Sequence, residues 1–109
     1  MVHWEITASD PEAQSGFYRS LFGWDIGEGP IQAIAPGLGG PEPGPAGHIR
    51  EGARPGVSLY VQVRDLHQSL VTAESLGASI TVQPFDIPGG PTLAAIEDPE
   101  GNTVFLVQQ

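Results

Sequence analysis

Residues 2–24 read VHWEITASDPEAQSGFYRSLFGW, and this stretch decides the fold. Its first half alternates: His3, Glu5 and Thr7 take one side of an extended strand, and Val2, Trp4, Ile6 and Ala8 take the other. Its second half changes period. Asp10 is a good helix N-cap, Pro11 suits the first helical position, and Glu12 complements the positive end of the dipole. Ala13, Phe17 and Leu21 recur at spacings of four, which predicts an apolar stripe, and Gly23 predicts the stop. Strand, then helix, is the expected order.

The pattern returns further on. Residues 58–65, SLYVQVRD, alternate again, with Ser58, Tyr60 and Gln62 on one face and Leu59, Val61 and Val63 on the other. Residues 65–78, DLHQSLVTAESLGA, follow as a helix with Asp65 as N-cap, Leu66, Leu70 and Ala73 as its stripe, and Gly77 near its end. Asp10 to Asp65 is 55 residues and Gly23 to Gly77 is 54, about half of the 109-residue chain. The chain therefore repeats itself once. Each half continues with short strand candidates: WDIGE, IQAIAP and AGHIRE in the first, and SITVQPF, TLAAIED and NTVFLVQ in the second. The expected fold is α+β: two tandem βαβββ modules, about 1–54 and about 55–109, with eight strands in one domain spanning 1–109. Two loops interrupt this order. Residues 36–46, PGLGGPEPGPA, hold four prolines and four glycines and cannot form a regular element, so they serve as a long connection or as a lid. Residues 98–102, DPEGN, read as a tight hairpin turn between the last two strands.

Composition excludes several kinds of chemistry. Thirteen acidic residues against four basic ones give a net charge of −9, and the four arginines, at 19, 50, 54 and 64, do not cluster. No row of cations is available for phosphates, so neither nucleic acid nor an anionic membrane is an expected partner. The field favours neutral or cationic ligands. With no cysteine and no lysine in the sequence, thiol nucleophiles, disulfides, thiolate-bound zinc and lysine Schiff bases are excluded. No run resembles a signal peptide or approaches the ~20 apolar residues of a membrane span, and a cytoplasmic location is expected. A Gly-x-Ser-x-Gly elbow and a Walker-type phosphate loop are also missing.

Three stretches together, HWEI…DPEAQSGFYRSLFGW, YVQVRDLHQSL…ESLGA and IPGG…DPEGNTVFLVQ, resemble the vicinal oxygen chelate superfamily. That superfamily holds glyoxalase I, extradiol dioxygenases and bleomycin-resistance proteins. More narrowly, the chain is similar to the small predicted enzymes related to lactoylglutathione lyase. The resemblance covers almost the whole chain. It implies a mixed sheet that curls around a cavity, a homodimer, a small-molecule ligand, and a divalent ion such as Ni, Zn, Mn or Fe held by ligands from the first and last strand of each module.

Carried over residue by residue, the first ligand position is His3, a match, and its counterpart in the second module is Ser58. The position after DPEGN is Phe105, which cannot ligate, and the remaining one falls near Gly47 or His48. The metal candidates are therefore His3 and His48. Glu5 shares the face of His3, about 7 Å along the strand, so His3 and Glu5 are also the candidate catalytic pair, as a ligand or a general base; the alternative is polar lining of a cavity. Ser58, Tyr60, Gln62 and Phe105 are expected to line a half-polar substrate cavity. His67 reads as solvated. Trp4, Phe17, Tyr18, Leu21, Phe22 and Trp24 read as packing residues rather than ligand platforms. The expected function is handling of a small molecule, either as a lyase, isomerase or dioxygenase of the vicinal oxygen chelate type, or as a protein that sequesters a small cationic, antibiotic-like ligand. The broken ligand set argues against glyoxalase I activity itself.

Overall fold

A computed structural model describes residues 1–36 and 44–109; most of the loop expected to be a connection or lid, residues 37–43, lies outside the described residues. The chain is α+β and divides into two compact units, Val2–Val57 and Ser58–Gln109. No helix among the described residues is long and apolar enough to cross a membrane.

The first unit contains β1 (His3–Ala8), α1 (Pro11–Phe22), β2 (Ile31–Ile34) and β3 (Gly47–Glu51). β1 runs parallel to β3, and β2 pairs antiparallel with the other edge of β3. The parallel pair requires a crossover, which α1 supplies. Its caps follow the sequence signals. The Asp10 carboxylate accepts the Ala13 N–H at 3.1 Å, and Gly23 adopts φ 69°, in the left-handed region, where its N–H donates to the Arg19 carbonyl at 2.9 Å. Ile6, Ala8, Ile26, Ile34 and Ile49 form the core of this unit, with Trp4, Tyr18 and Trp24 packed against it.

The second unit contains most of β4 (Gly56–Gln62), followed by α2 (Leu66–Ser75), β5 (Ser79–Asp86), β6 (Thr92–Glu97) and β7 (Thr103–Gln108). β4 runs parallel to β7, and β6 pairs antiparallel with both β7 and β5. Asp65 caps α2 by accepting the Gln68 N–H at 3.1 Å. Leu66 and Leu70 bury the helix against Ala94 and Leu106 on one side of the sheet, while Tyr60, Leu93, Ala95, Phe105 and Val107 cluster separately. The DPEGN turn forms as expected. The Asp98 carboxylate accepts N–H groups from Glu100 and Asn102, and Gly101 takes φ 87°. Hydrogen bonds from the Asn102 side chain and backbone hold the exposed Asp98 carboxyl below its ordinary range.

Two expectations are corrected. The described residues contain seven strands, not eight. The stretch WDIGE makes a single bridge, Ile26 to Ile34, framed by Gly27 N–H to the Ala33 carbonyl and Ala35 N–H to the Asp25 carbonyl. Gly27, Gly29 at φ 102° and Pro30 break the extension before a ladder can form. Among its described residues the first unit is therefore βαββ.

The packed face of α1 also differs from the predicted stripe. Phe17 and Leu21 are 56% and 58% exposed, whereas Ser15 is fully buried and Gln14 and Tyr18 are half-buried. A small residue at the contact lets the helix backbone approach the sheet. Polar bonds then fix it: Gln32 Nε2 donates to Glu12 Oε1 at 2.8 Å, and Arg19 Nη2 donates to the Ile26 and Gly27 carbonyls at 2.8 and 3.2 Å.

Gly47, the first residue of β3, lies directly under the Trp4 indole. A Cβ there would stand 2.5 Å from a ring carbon. Gly47→Ala should therefore lower stability by about 1–3 kcal/mol through overpacking, measured by urea unfolding at neutral pH. An unchanged midpoint would show that the indole can move aside at no cost.

Candidate functional site

The site is built on the parallel pair β1 and β3. Alternation points His3 and Glu5 to one side of β1, and His48 and Arg50 to one side of β3. The register sets Glu5 opposite His48 and Thr7 opposite Arg50. The four side chains meet in a chain of hydrogen bonds. Arg50 donates from Nε to Glu5 Oε1 at 2.5 Å and from Nη2 to Glu5 Oε2 at 3.2 Å, a two-pronged clamp on one carboxylate. His48 Nε2 lies 2.9 Å from Glu5 Oε1, and His48 Nδ1 lies 2.6 Å from His3 Nε2. The two imidazoles stack, with centroids 4.8 Å apart and planes 25° apart. Glu5 is 1% exposed.

One set of proton positions satisfies all of these contacts. A carboxylate clamped by a guanidinium only accepts, so His48 Nε2 carries hydrogen and donates to Glu5. With His48 in that tautomer, its Nδ1 accepts and His3 Nε2 donates to it. In that arrangement His3 Nδ1 carries no hydrogen. Burial pushes the His3 imidazole below its ordinary range, the neighbouring His48 adds to this, and Glu5 opposes it. The surroundings of the His3 ring thus disfavour its charged form.

All three residues singled out on this face from the sequence, His3, Glu5 and His48, come together. Arg50 was missed. Its signal was present, since it stands two residues after His48 in an alternating strand, but the β1–β3 pairing that aims it at Glu5 could not be read from the sequence. Of the expected cavity residues, Ser58 and Tyr60 on β4 and Phe105 on β7 are buried, and Gln62 is exposed at the end of β4. Tyr60 and Phe105 are register partners and stack at 4.5 Å with planes 10° apart. His67 is exposed at the start of α2.

The two parallel pairs share a register. Glu5 faces His48 on β1 and β3, and Tyr60, 55 residues after Glu5, faces Phe105 on β4 and β7. His48 is therefore the counterpart of Phe105 in register.

The donors do not complete a chelate as they stand. Two nitrogens on one tetrahedral zinc lie roughly 3.3 Å apart, whereas His3 Nε2 and His48 Nδ1 are at a hydrogen-bonding distance. Glu5 engages the far nitrogen of His48, and among the described residues no three His, Asp or Glu side chains converge where an ion could sit.

A family model described as a glyoxalase-like domain matches residues 3–107. No curated protein matches the chain significantly. Among solved structures, a glyoxalase/bleomycin resistance protein/dioxygenase superfamily member from Vibrio splendidus 12B01 is similar with a TM-score of 0.70 at 16% identity, covering 100% of this chain and 98% of that one. A hypothetical protein from Bacillus halodurans C-125 is similar at 0.66 and 10% identity, over 100% and 93% of the two chains. A methylmalonyl-CoA epimerase is similar at 0.59 and 18% identity, over 99% and 93%. At these identities the likeness is one of fold.

The lowered His3 pKa has a pH signature. The unfolded chain takes up a proton near the ordinary histidine pKa of 6.5, while the folded chain resists it. The stability His3 contributes is therefore complete above that value and is lost as pH falls from there through the folded pKa. Urea unfolding of wild type and His3→Gln between pH 7.5 and 5 should show the variant losing less stability over that interval. Parallel pH profiles would remove His3 as the source.

Proposed function

The chain belongs to the glyoxalase-like domain family, and on that premise we propose that it transforms a small molecule by proton transfer, with His3 as the terminal base of the chain Arg50–Glu5–His48–His3. One observation carries this reading: the His48 ring bridges His3 and a buried carboxylate that Arg50 clamps on both oxygens. A neutral imidazole backed by an oriented acceptor is the arrangement general-base catalysis uses.

The step is simple to balance. A C–H bond next to a substrate carbonyl breaks, its proton goes to His3 Nδ1, and its electron pair stays on the substrate as an enolate. The positive charge on His3 is stabilised through the Nε2–H bond to His48. His48 can take that proton at Nδ1 while its Nε2 proton moves toward Glu5. Arg50 keeps Glu5 ionised as the resting acceptor and counters the cost of burying it. Lysine chemistry is excluded by composition, and the net charge of −9 selects neutral or cationic substrates over polyanions.

Proton exchange tests this without knowledge of the full reaction. Small α-hydrogen-bearing ketones, aldehydes and hydroxyketones are incubated with the protein in D2O, and deuterium uptake is followed by NMR. The expected result is catalysed exchange for at least one compound, reduced about 10²–10⁴-fold in His3→Ala. Exchange indifferent to His3→Ala would overturn the assignment. Saturable binding with no exchange would favour the sequestering role for a small cationic ligand.

A further inference from the structure

Trp4 lies between His3 and Glu5 on β1 and points to the opposite side of the strand, into the cluster packed under α1. There it opens a second feature. Trp4, Phe22, Trp24, Ile34, Ala35, Pro36 and Pro45 line a cleft of about 490 Å³, within the range of small-molecule sites. The walls are pre-set. The Trp4 indole N–H donates to the Pro45 carbonyl at 3.0 Å, and its ring rests on the side-chain-free Gly47. Trp24 meets Trp4 edge-on at 5.6 Å and 67°, Tyr18 stacks on Trp24 at 4.8 Å, and Phe22 stands 5.3 Å from Trp24 at 33°. Phe22 is nevertheless 53% exposed. Phe22 also stacks on Tyr18 at 6.0 Å, and the exposed part of its ring lies at the mouth of the cleft.

We propose that this cleft is a second binding site, taking a flat heteroaromatic cation. The shape follows from two indoles near right angles with a tilted phenyl ring, which offer stacking and edge contacts to a planar partner. The charge follows from three facts. Among the described residues no charged side chain lines the cleft, the exposed Asp25 adjoins it through its carbonyl bond to Ala35, and the whole chain carries −9. Indole faces attract cations, and a negative field raises their local concentration. Because the walls are already ordered, binding loses little side-chain entropy.

Trp4 and Trp24 are the protein's two tryptophans, so their two indole N–H signals in a ¹⁵N–¹H spectrum report this site directly. The probe is N-methylquinolinium chloride, with quinoline-2-carboxylate as its anionic match. Both indole signals should move saturably with a Kd below ~1 mM for the cation, and the anion should bind at least ~10-fold more weakly. Phe22→Ala, with its fold verified by circular dichroism, should weaken the cation about 5-fold or more. His3→Ala should leave cation binding unchanged, which separates this site from the relay. Static indole signals up to ~10 mM probe, equal binding of the two probes, or an unchanged response in Phe22→Ala would each overturn the proposal.

Discussion

The interaction on which the first half of the molecule depends is the clamp of Arg50 on Glu5. A carboxylate at 1% exposure is costly unless it is paired and hydrogen-bonded, and removing a partner from such a pair strands the remaining charge. Glu5 therefore needs Arg50 and His48 in place. Both reach it only from β3, at the offset that the parallel register enforces. The crossover helix α1, its caps and the core beneath it hold the strands in that register. The fold and the proton chain are in this sense one construction: the backbone fixes the register, and the register makes the burial of a charge tolerable.

The two halves show what the backbone leaves open. Equivalent positions in two parallel pairs carry Glu5 and His48 in one and a stacked Tyr60 and Phe105 in the other. Ladder hydrogen bonds are indifferent to this difference, while the chemistry is wholly determined by it. The polar pair orders protons; the aromatic pair offers a flat, buried apolar surface with one hydroxyl. Membership of a family whose resemblance implies a divalent ion does not by itself place one here. The donors that remain point along a line of hydrogen bonds and do not surround a point.

Much of this was legible in the sequence, for local reasons. The caps at Asp10, Gly23 and Asp65 and the DPEGN turn rest on residues bonding to near neighbours, and each formed as read. The face shared by His3 and Glu5 follows from strand alternation alone. What escaped depended on distant partners. The stripe Ala13–Phe17–Leu21 has helical spacing, yet α1 packs on the side of Ser15 and Tyr18, because the close approach to the sheet and the Glu12–Gln32 bond outweigh the apolar pattern. WDIGE has strand-like residues, but the glycines and proline that follow limit it to one bridge. Arg50 was unreadable as a site residue because nothing local says that β3 lies parallel to β1.

The shared register also constrains how such a protein can change over time. Glu5, His48 and Arg50 correspond to Tyr60, Phe105 and Val107 in the second half. Converting that half to the chemistry of the first one residue at a time would begin by burying a lone carboxylate or a lone guanidinium among apolar neighbours. Dismantling the first half one residue at a time would strand Glu5 in the same way. Each arrangement is internally consistent, and a step that leaves Glu5 without its partners or introduces a lone buried charge is destabilising. Two parallel strand pairs in one register can therefore remain chemically unlike, separated by a barrier of unpaired intermediates.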